Sequence, residues 1–158
     1  MKKQNISKKI LYWYDNNKRL LPWRKNISSR QREYFTLVSE FMLQQTQVKT
    51  VIPYFNNFIK KIPNLKKLSN ISENKLLKSW EGLGYYSRAR NLKKTAKKII
   101  LEFNGKLPKT VEELKTLPGV GDYTSRAILA IVFNKPIIPL DGNVERILKR
   151  IFYLKKDE

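Results

Sequence analysis

Val111-Glu112-Glu113-Leu114-Lys115-Thr116-Leu117-Pro118-Gly119-Val120-Gly121-Asp122-Tyr123 is the stretch that decides the fold. Val111 to Thr116 reads as a short helix and Asp122 to Phe133 as a second, with Leu117–Gly121 as the turn between them. Pro118 stops the first helix, and the two glycines tolerate the positive φ angles of a tight hairpin. They also leave backbone N–H groups uncovered at the start of the second helix, where the macrodipole favours an anion. A helix–hairpin–helix of this kind can hold a DNA phosphate without reading a base, which makes Leu117, Gly119, Val120 and Gly121 candidate DNA-binding residues. A plain loop between packed helices would carry the same five residues. The rest of the chain has to choose.

Charge favours the phosphate. The 158 residues hold 33 Lys+Arg against 13 Asp+Glu, a net charge of +20 spread along the chain, as at Lys66-Lys67, Lys93-Lys94 and Lys97-Lys98. Solvated helix faces account for part of that excess, and attraction to a polyanion, nucleic acid before membrane, for the rest. With 41% apolar and 11% aromatic residues the chain can bury a core. No apolar run reaches the roughly 18 residues of a membrane span, and the N-terminus lacks the apolar block of a signal peptide, so a cytoplasmic place is expected. The absence of cysteine and histidine rules out disulfides and thiol or imidazole catalysis, and argues against a zinc or iron–sulfur site within these residues.

Outward from the hairpin, every segment reads as helix or loop. Ile6, Ile10, Leu11, Trp13 and Tyr14 give an amphipathic helix from Asn5 to Asn17. Leu20 to Arg24 opens a loop that continues through Arg32, and the dense apolar set of Glu33 to Gln45 predicts a helix buried on most faces. Further helices are expected at Gln47–Lys60, Asn64–Leu68, Ser72–Trp80 (Ser72 as N-cap), Tyr85–Phe103 and Gly142–Tyr153. No stretch alternates long enough for a strand. The expected class is all-α, with about eight to ten short helices and no repeat. The chain stops at Glu158 without a tail composition, as a fragment would.

Glu40 is the anomaly in the most hydrophobic helix. Among Val38, Phe41, Met42 and Leu43 it reads either as a desolvated carboxyl that keeps a proton near neutral pH, or as one half of a salt bridge to a lysine. Asp141, in Leu140-Asp141-Gly142-Asn143, is placed to cap the last helix. A carboxylic acid beside a carboxylate is also the pair that cleaves glycosidic bonds: one protonates the leaving group, the other stabilises the cationic sugar or orders water. Gln44-Gln45-Thr46-Gln47 offers amides and a hydroxyl to a base edge. Gly82-Leu83-Gly84-Tyr85-Tyr86-Ser87-Arg88-Ala89-Arg90 offers an aromatic wedge with Arg88 and Arg90 for phosphates.

These stretches together resemble the MutY family of adenine DNA glycosylases, helix–hairpin–helix base-excision enzymes. The matching residues run from Leu21-Pro22-Trp23-Arg24 through SEFMLQQTQV (39–48), VIPYF (51–55), WEGLGYYSRARN (80–91) and LPGVG (117–121) to LDGNV (140–144), nearly the whole chain. The resemblance implies a six-helix barrel-type domain, residues 28–136, which includes the hairpin at 111–133. Residues 1–27 and 137–158 then belong to an incomplete second helical domain. It makes Glu40 the acid that protonates adenine and Asp141 the stabiliser of the sugar cation, with Tyr123 in the pocket and Asn143 beside Asp141. Arg19, Leu21, Trp23 and Arg24 fall in the stretch lining the adenine pocket, and Gln44, Gln45, Thr46 and Tyr85 at the bound substrate. Gln45 and Tyr85 match the wedge that enters the duplex when adenine opposite 8-oxoguanine is flipped out. The related endonuclease III enzymes carry a lysine nucleophile where Tyr123 stands, so a monofunctional glycosylase is implied.

The sequence also departs from the family. The stretch between Trp23 and Glu40 is longer, Arg32-Glu33 replaces the commoner Asp-Pro, and Glu145 stands where some members have lysine. The 4Fe–4S cluster expected in a full-length member has no cysteine here to hold it. The expected activity is removal of adenine from A:8-oxoguanine or A:G mispairs in duplex DNA, by a monomer on a bacterial nucleoid. A non-catalytic DNA-binding fragment and a glycosylase for another base are the alternatives.

Overall fold

A computed structural model describes residues 3–25 and 27–153; the chain end at 155–158, read above as abrupt, lies outside them. Every regular element described is helical. Nine α-helices run in order: α1 (Lys3–Asn17), α2 (Ser29–Leu43), α3 (Val48–Lys61), α4 (Leu65–Asn70), α5 (Glu73–Trp80), α6 (Tyr86–Glu102), α7 (Val111–Lys115), α8 (Asp122–Phe133) and α9 (Gly142–Phe152). A 3₁₀ turn, Pro22–Arg24, joins α1 to α2.

α2 is the hub. Around it pack α3, α6, α8 and the 3₁₀ turn, so Thr36 to Met42 are buried without a break. The helix starts earlier than the sequence predicts, at Ser29 and not Glu33, because Ser28 forms a capping box. Its hydroxyl accepts from the Gln31 N–H at 3.3 Å, while Gln31 Oε1 accepts from the Ser28 N–H at 3.3 Å. The expected loop is one turn shorter as a result. Aromatic rings lock the layer behind it: Phe58 meets Trp80 edge-on at 5.9 Å, and Phe55 meets Trp23 at 5.2 Å. Burying each such side chain stabilises the fold by about 1.5–3 kcal/mol.

The two end helices differ from the body. Neither α1 nor α9 packs substantially against another element among the described residues. Ile10, Leu11 and Trp13 are 58–63% exposed, and Ile147 and Ile151 are 51% and 42% exposed. Helices of that length standing alone are marginal in water. Amide hydrogen exchange in residues 6–14 and 144–152 is therefore expected to be faster than in Ala127 to Ile131 of α8. Equal protection of the three segments would contradict it.

Candidate active site and nucleic-acid interface

Glu40 lies on α2 at 8% exposure, because the helix is covered on all sides at that level. Burial pushes its pKa up from 4.5 to about 7, against an opposing pull from the Arg24 guanidinium. No lysine or arginine forms an ion pair with it among the described residues, so the salt-bridge reading of Glu40 is overturned. Tyr123, 43% exposed on the first turn of α8, feels the same centre. Its phenol is raised first by burial, then by the charges of Glu40 and Asp141, with Arg24 opposing. Asp141 caps α9, accepting from the Asn143 and Val144 N–H groups at 3.0 and 2.7 Å. The Asn143 amide oxygen accepts from Arg146 at 2.8 Å. Residues from α2, α8, the 3₁₀ turn and the start of α9 thus act on one another electrostatically.

The hairpin is bolted down through its carbonyls. Those of Thr116, Pro118 and Gly119 accept from Lys98 Nζ (3.0 Å), Thr95 Oγ1 (2.8 Å) and Gln44 Nε2 (3.1 Å). The Leu117 and Val120 side chains are buried, so only backbone from those positions can meet a ligand. Positive φ at both glycines is not what forms. Gly119 has φ +80°, but Gly121 has φ −91° in an extended conformation, as the N-cap of α8. No side chain caps α8 there, and a Cβ on Gly121 would meet nothing within 4 Å.

Several expected contact residues turn inward. Trp23 is 3% exposed and packs edge-on against Phe55 in the core. Leu21 is half-buried against the same core, whereas Arg19 and Arg24 stay exposed. Gln44 Nε2 donates to the hairpin at 3.1 Å, and Thr46 Oγ1 accepts from Arg88 at 3.0 Å, so both side chains are engaged within the fold. Gln45 stays exposed. Arg88, expected at a phosphate, is 6% exposed with both terminal nitrogens donating to internal oxygens, which removes it from the DNA contacts. Burial also pushes its pKa down, with Tyr85 opposing. Arg90 is exposed but pairs with Glu73 at 2.7 Å. The signal for Arg88 was available: it sits on the α6 stripe Arg88, Leu92, Thr95, Ala96, Ile99, which is buried throughout.

What remains outside is backbone, lysine and a few other side chains, Arg19, Arg24, Gln45 and Tyr85 among them. Duplex binding is accordingly expected to weaken steeply with salt, the slope of log K against log[salt] being roughly −0.9 per phosphate neutralised. An affinity indifferent to salt would contradict a phosphate-binding face.

These residues offer no thiolate or imidazole ligand for an iron–sulfur cluster. The sequence has neither Cys nor His, and no three Asp or Glu gather among the described residues. No helix among them is long and apolar enough to cross a membrane.

Known proteins resemble this chain in sequence and in fold. The chain is 46% identical over 147 residues to the adenine DNA glycosylases of Rattus norvegicus and Homo sapiens, covering 90% of itself and 28% and 27% of them. It is 47% identical over 144 residues to that of Buchnera aphidicola subsp. Baizongia pistaciae, covering 40% of it. The chain thus spans well under half the length of these relatives. In fold it superposes on a thermostable thymine-DNA glycosylase (TM-score 0.84, 24% identity, 98% of this chain and 72% of that one). It also superposes on endonuclease III in a non-covalent DNA complex (TM-score 0.79, 23% identity, 100% and 72%). Residues 38–158 match the family described as HhH-GPD superfamily base excision DNA repair protein, and the chain belongs to that family.

Proposed function

We propose that this chain is the catalytic region of a monofunctional adenine DNA glycosylase that acts on A:8-oxoguanine or A:G mispairs in duplex DNA. One observation carries the reading: Glu40 is a buried carboxyl with its pKa lifted to about 7, against the pull of Arg24, and in no direct ion pair among the described residues. Such a group still holds a proton where DNA is intact and stable. In the proposed reaction the bond between C1′ and the adenine nitrogen breaks with its electron pair going to the base. Glu40 gives the base a proton, the Asp141 carboxylate stabilises the cationic sugar, and water adds at C1′ as it loses a proton. The names of the relatives favour adenine as the base.

Residues 28–136 would carry acid and hairpin, while 1–27 and 137–158 bring Arg24-side and Asp141-side groups from a second helical domain. Arg19, Leu21 and Arg24 would edge the adenine pocket, and Asn143 would steady the turn at Asp141. The protein would work as a monomer on chromosomal DNA.

Tyr123 stands where a lyase would need an amine, and a phenol cannot form a Schiff base. The product is therefore expected to be an intact abasic strand that breaks only under hot alkali. Strand cleavage without alkali, with a lysine trapped by borohydride, would sink the monofunctional reading. Single-turnover release of adenine from a mispaired duplex tests the activity itself. Tight duplex binding with no release would leave a DNA-binding fragment as the answer.

A further inference from the structure

Arg88 is a buried cation with no carboxylate partner among the described residues. Its Nη1 donates to the carbonyls of Met42 (2.8 Å), Phe41 (3.4 Å) and Gln44, and to Thr46 Oγ1 (3.0 Å). Its Nη2 donates to the carbonyls of Leu83 and Gly84, each at 3.2 Å. The guanidinium also lies 5.7 Å from the Trp80 ring centre and 5.3 Å from that of Tyr85. Two segments distant in sequence thus share one side chain. The first is the C-terminal end of α2, where carbonyls lack helical partners and the dipole attracts a cation. The second is the turn that leads into α6.

Each segment carries one exposed residue in the left-handed region: Gln45 at φ 56° and Tyr85 at φ 48°. Neither is glycine, so each conformation persists only where its surroundings hold it. Among the described residues, Arg88 is the one side chain bonded to both surroundings. We propose that Arg88 is a positioning residue that fixes Gln45 and Tyr85 at a set separation, so that they enter a duplex as one two-pronged wedge. This rests on the reading of the protein as a base-extruding glycosylase. A lysine cannot take the place of Arg88, because a single ammonium does not offer a planar fork reaching both loops.

The test uses the intact protein and a duplex in which 2-aminopurine replaces the target adenine, its fluorescence reporting unstacking. Gln45→Ala and Tyr85→Ala are each expected to reduce unstacking by about tenfold, and Arg88→Lys by a similar factor. Either alanine added to Arg88→Lys should then cost less than about twofold more, since the prongs are already out of register. Independent, multiplying losses would overturn the coupling while leaving the wedge in place. Unchanged unstacking in both alanine variants would instead overturn the wedge itself, and the proposal with it. Should Arg88→Lys fail to fold, Thr46→Val removes one acceptor of the same guanidinium without touching the buried charge. It is expected to be non-additive with Tyr85→Ala on the opposite loop, and additivity there overturns the proposal.

Discussion

Replacing Glu40 with glutamine is expected to slow single-turnover adenine release by about 10²- to 10⁴-fold, the usual worth of a positioned general acid. The amide keeps the shape and the buried place on α2 but cannot give up a proton in the same way. Duplex binding should largely survive, since the hairpin and the lysines do not depend on it. In the unaltered chain the release rate should fall as pH rises above about 7, where Glu40 loses its proton. The glutamine variant should lack that limb. Release at the unaltered rate by the variant would remove Glu40 from the chemistry.

The same substitution should make the fold stronger. Glu40 titrates at about 7 in the folded chain against 4.5 ordinarily, so the folded state holds this proton more tightly than the unfolded one. Its contribution to stability is complete below 4.5 and is lost as pH climbs to about 7, at about 1.36 kcal/mol per pH unit between the two values. Above neutrality the buried carboxylate therefore costs about 3 kcal/mol, a burden that glutamine lacks. The variant should melt higher at pH 8 and about equally at pH 4. A carboxyl kept at an energetic loss is what a functional group looks like, and a structural one would have been paired.

Much of this was legible in the residues. The hairpin announces itself because proline and glycine constrain the backbone locally, and α8 falls at Asp122–Phe133 as read. Glu40 is visible because a charge among Val38, Phe41, Met42 and Leu43 has few innocent explanations. Arg88 was misread for the converse reason. An arginine beside tyrosines and glycines looks like a surface contact, and only the burial of its α6 stripe, together with the α2 carbonyls that converge on it, shows that it points inward. The burial of Trp23 was not legible because a loop tryptophan gives no periodicity, and its partner Phe55 is a tertiary neighbour. The early start of α2 was missed because Ser28 and Gln31 sit among polar residues that resemble loop.

Gly119 and Gly121 should answer differently to the same change, and that difference separates fold from function. Gly119→Ala puts a side chain at φ +80°, with its Cβ 2.9 Å from Phe41 Cε1 and 3.0 Å from the Asn91 Cβ. The left-handed backbone alone costs about 1–2 kcal/mol, and the crowding adds to it because Phe41 is fully buried and cannot yield. A total loss of about 2–4 kcal/mol is expected, a large share of a domain stability of roughly 5–15 kcal/mol. Gly121→Ala meets no such obstacle: its φ of −91° suits any residue and its Cβ enters open space. There the melting temperature should hold or rise slightly, since alanine removes freedom from the unfolded chain. The open space, however, lies over the uncapped start of α8, where a phosphate would approach the backbone N–H groups. Gly121→Ala should therefore weaken duplex binding and flatten the salt slope by about 0.9, the signature of one lost phosphate. If it binds as tightly as the unaltered chain with the same slope, the hairpin is a connection between helices and holds no DNA.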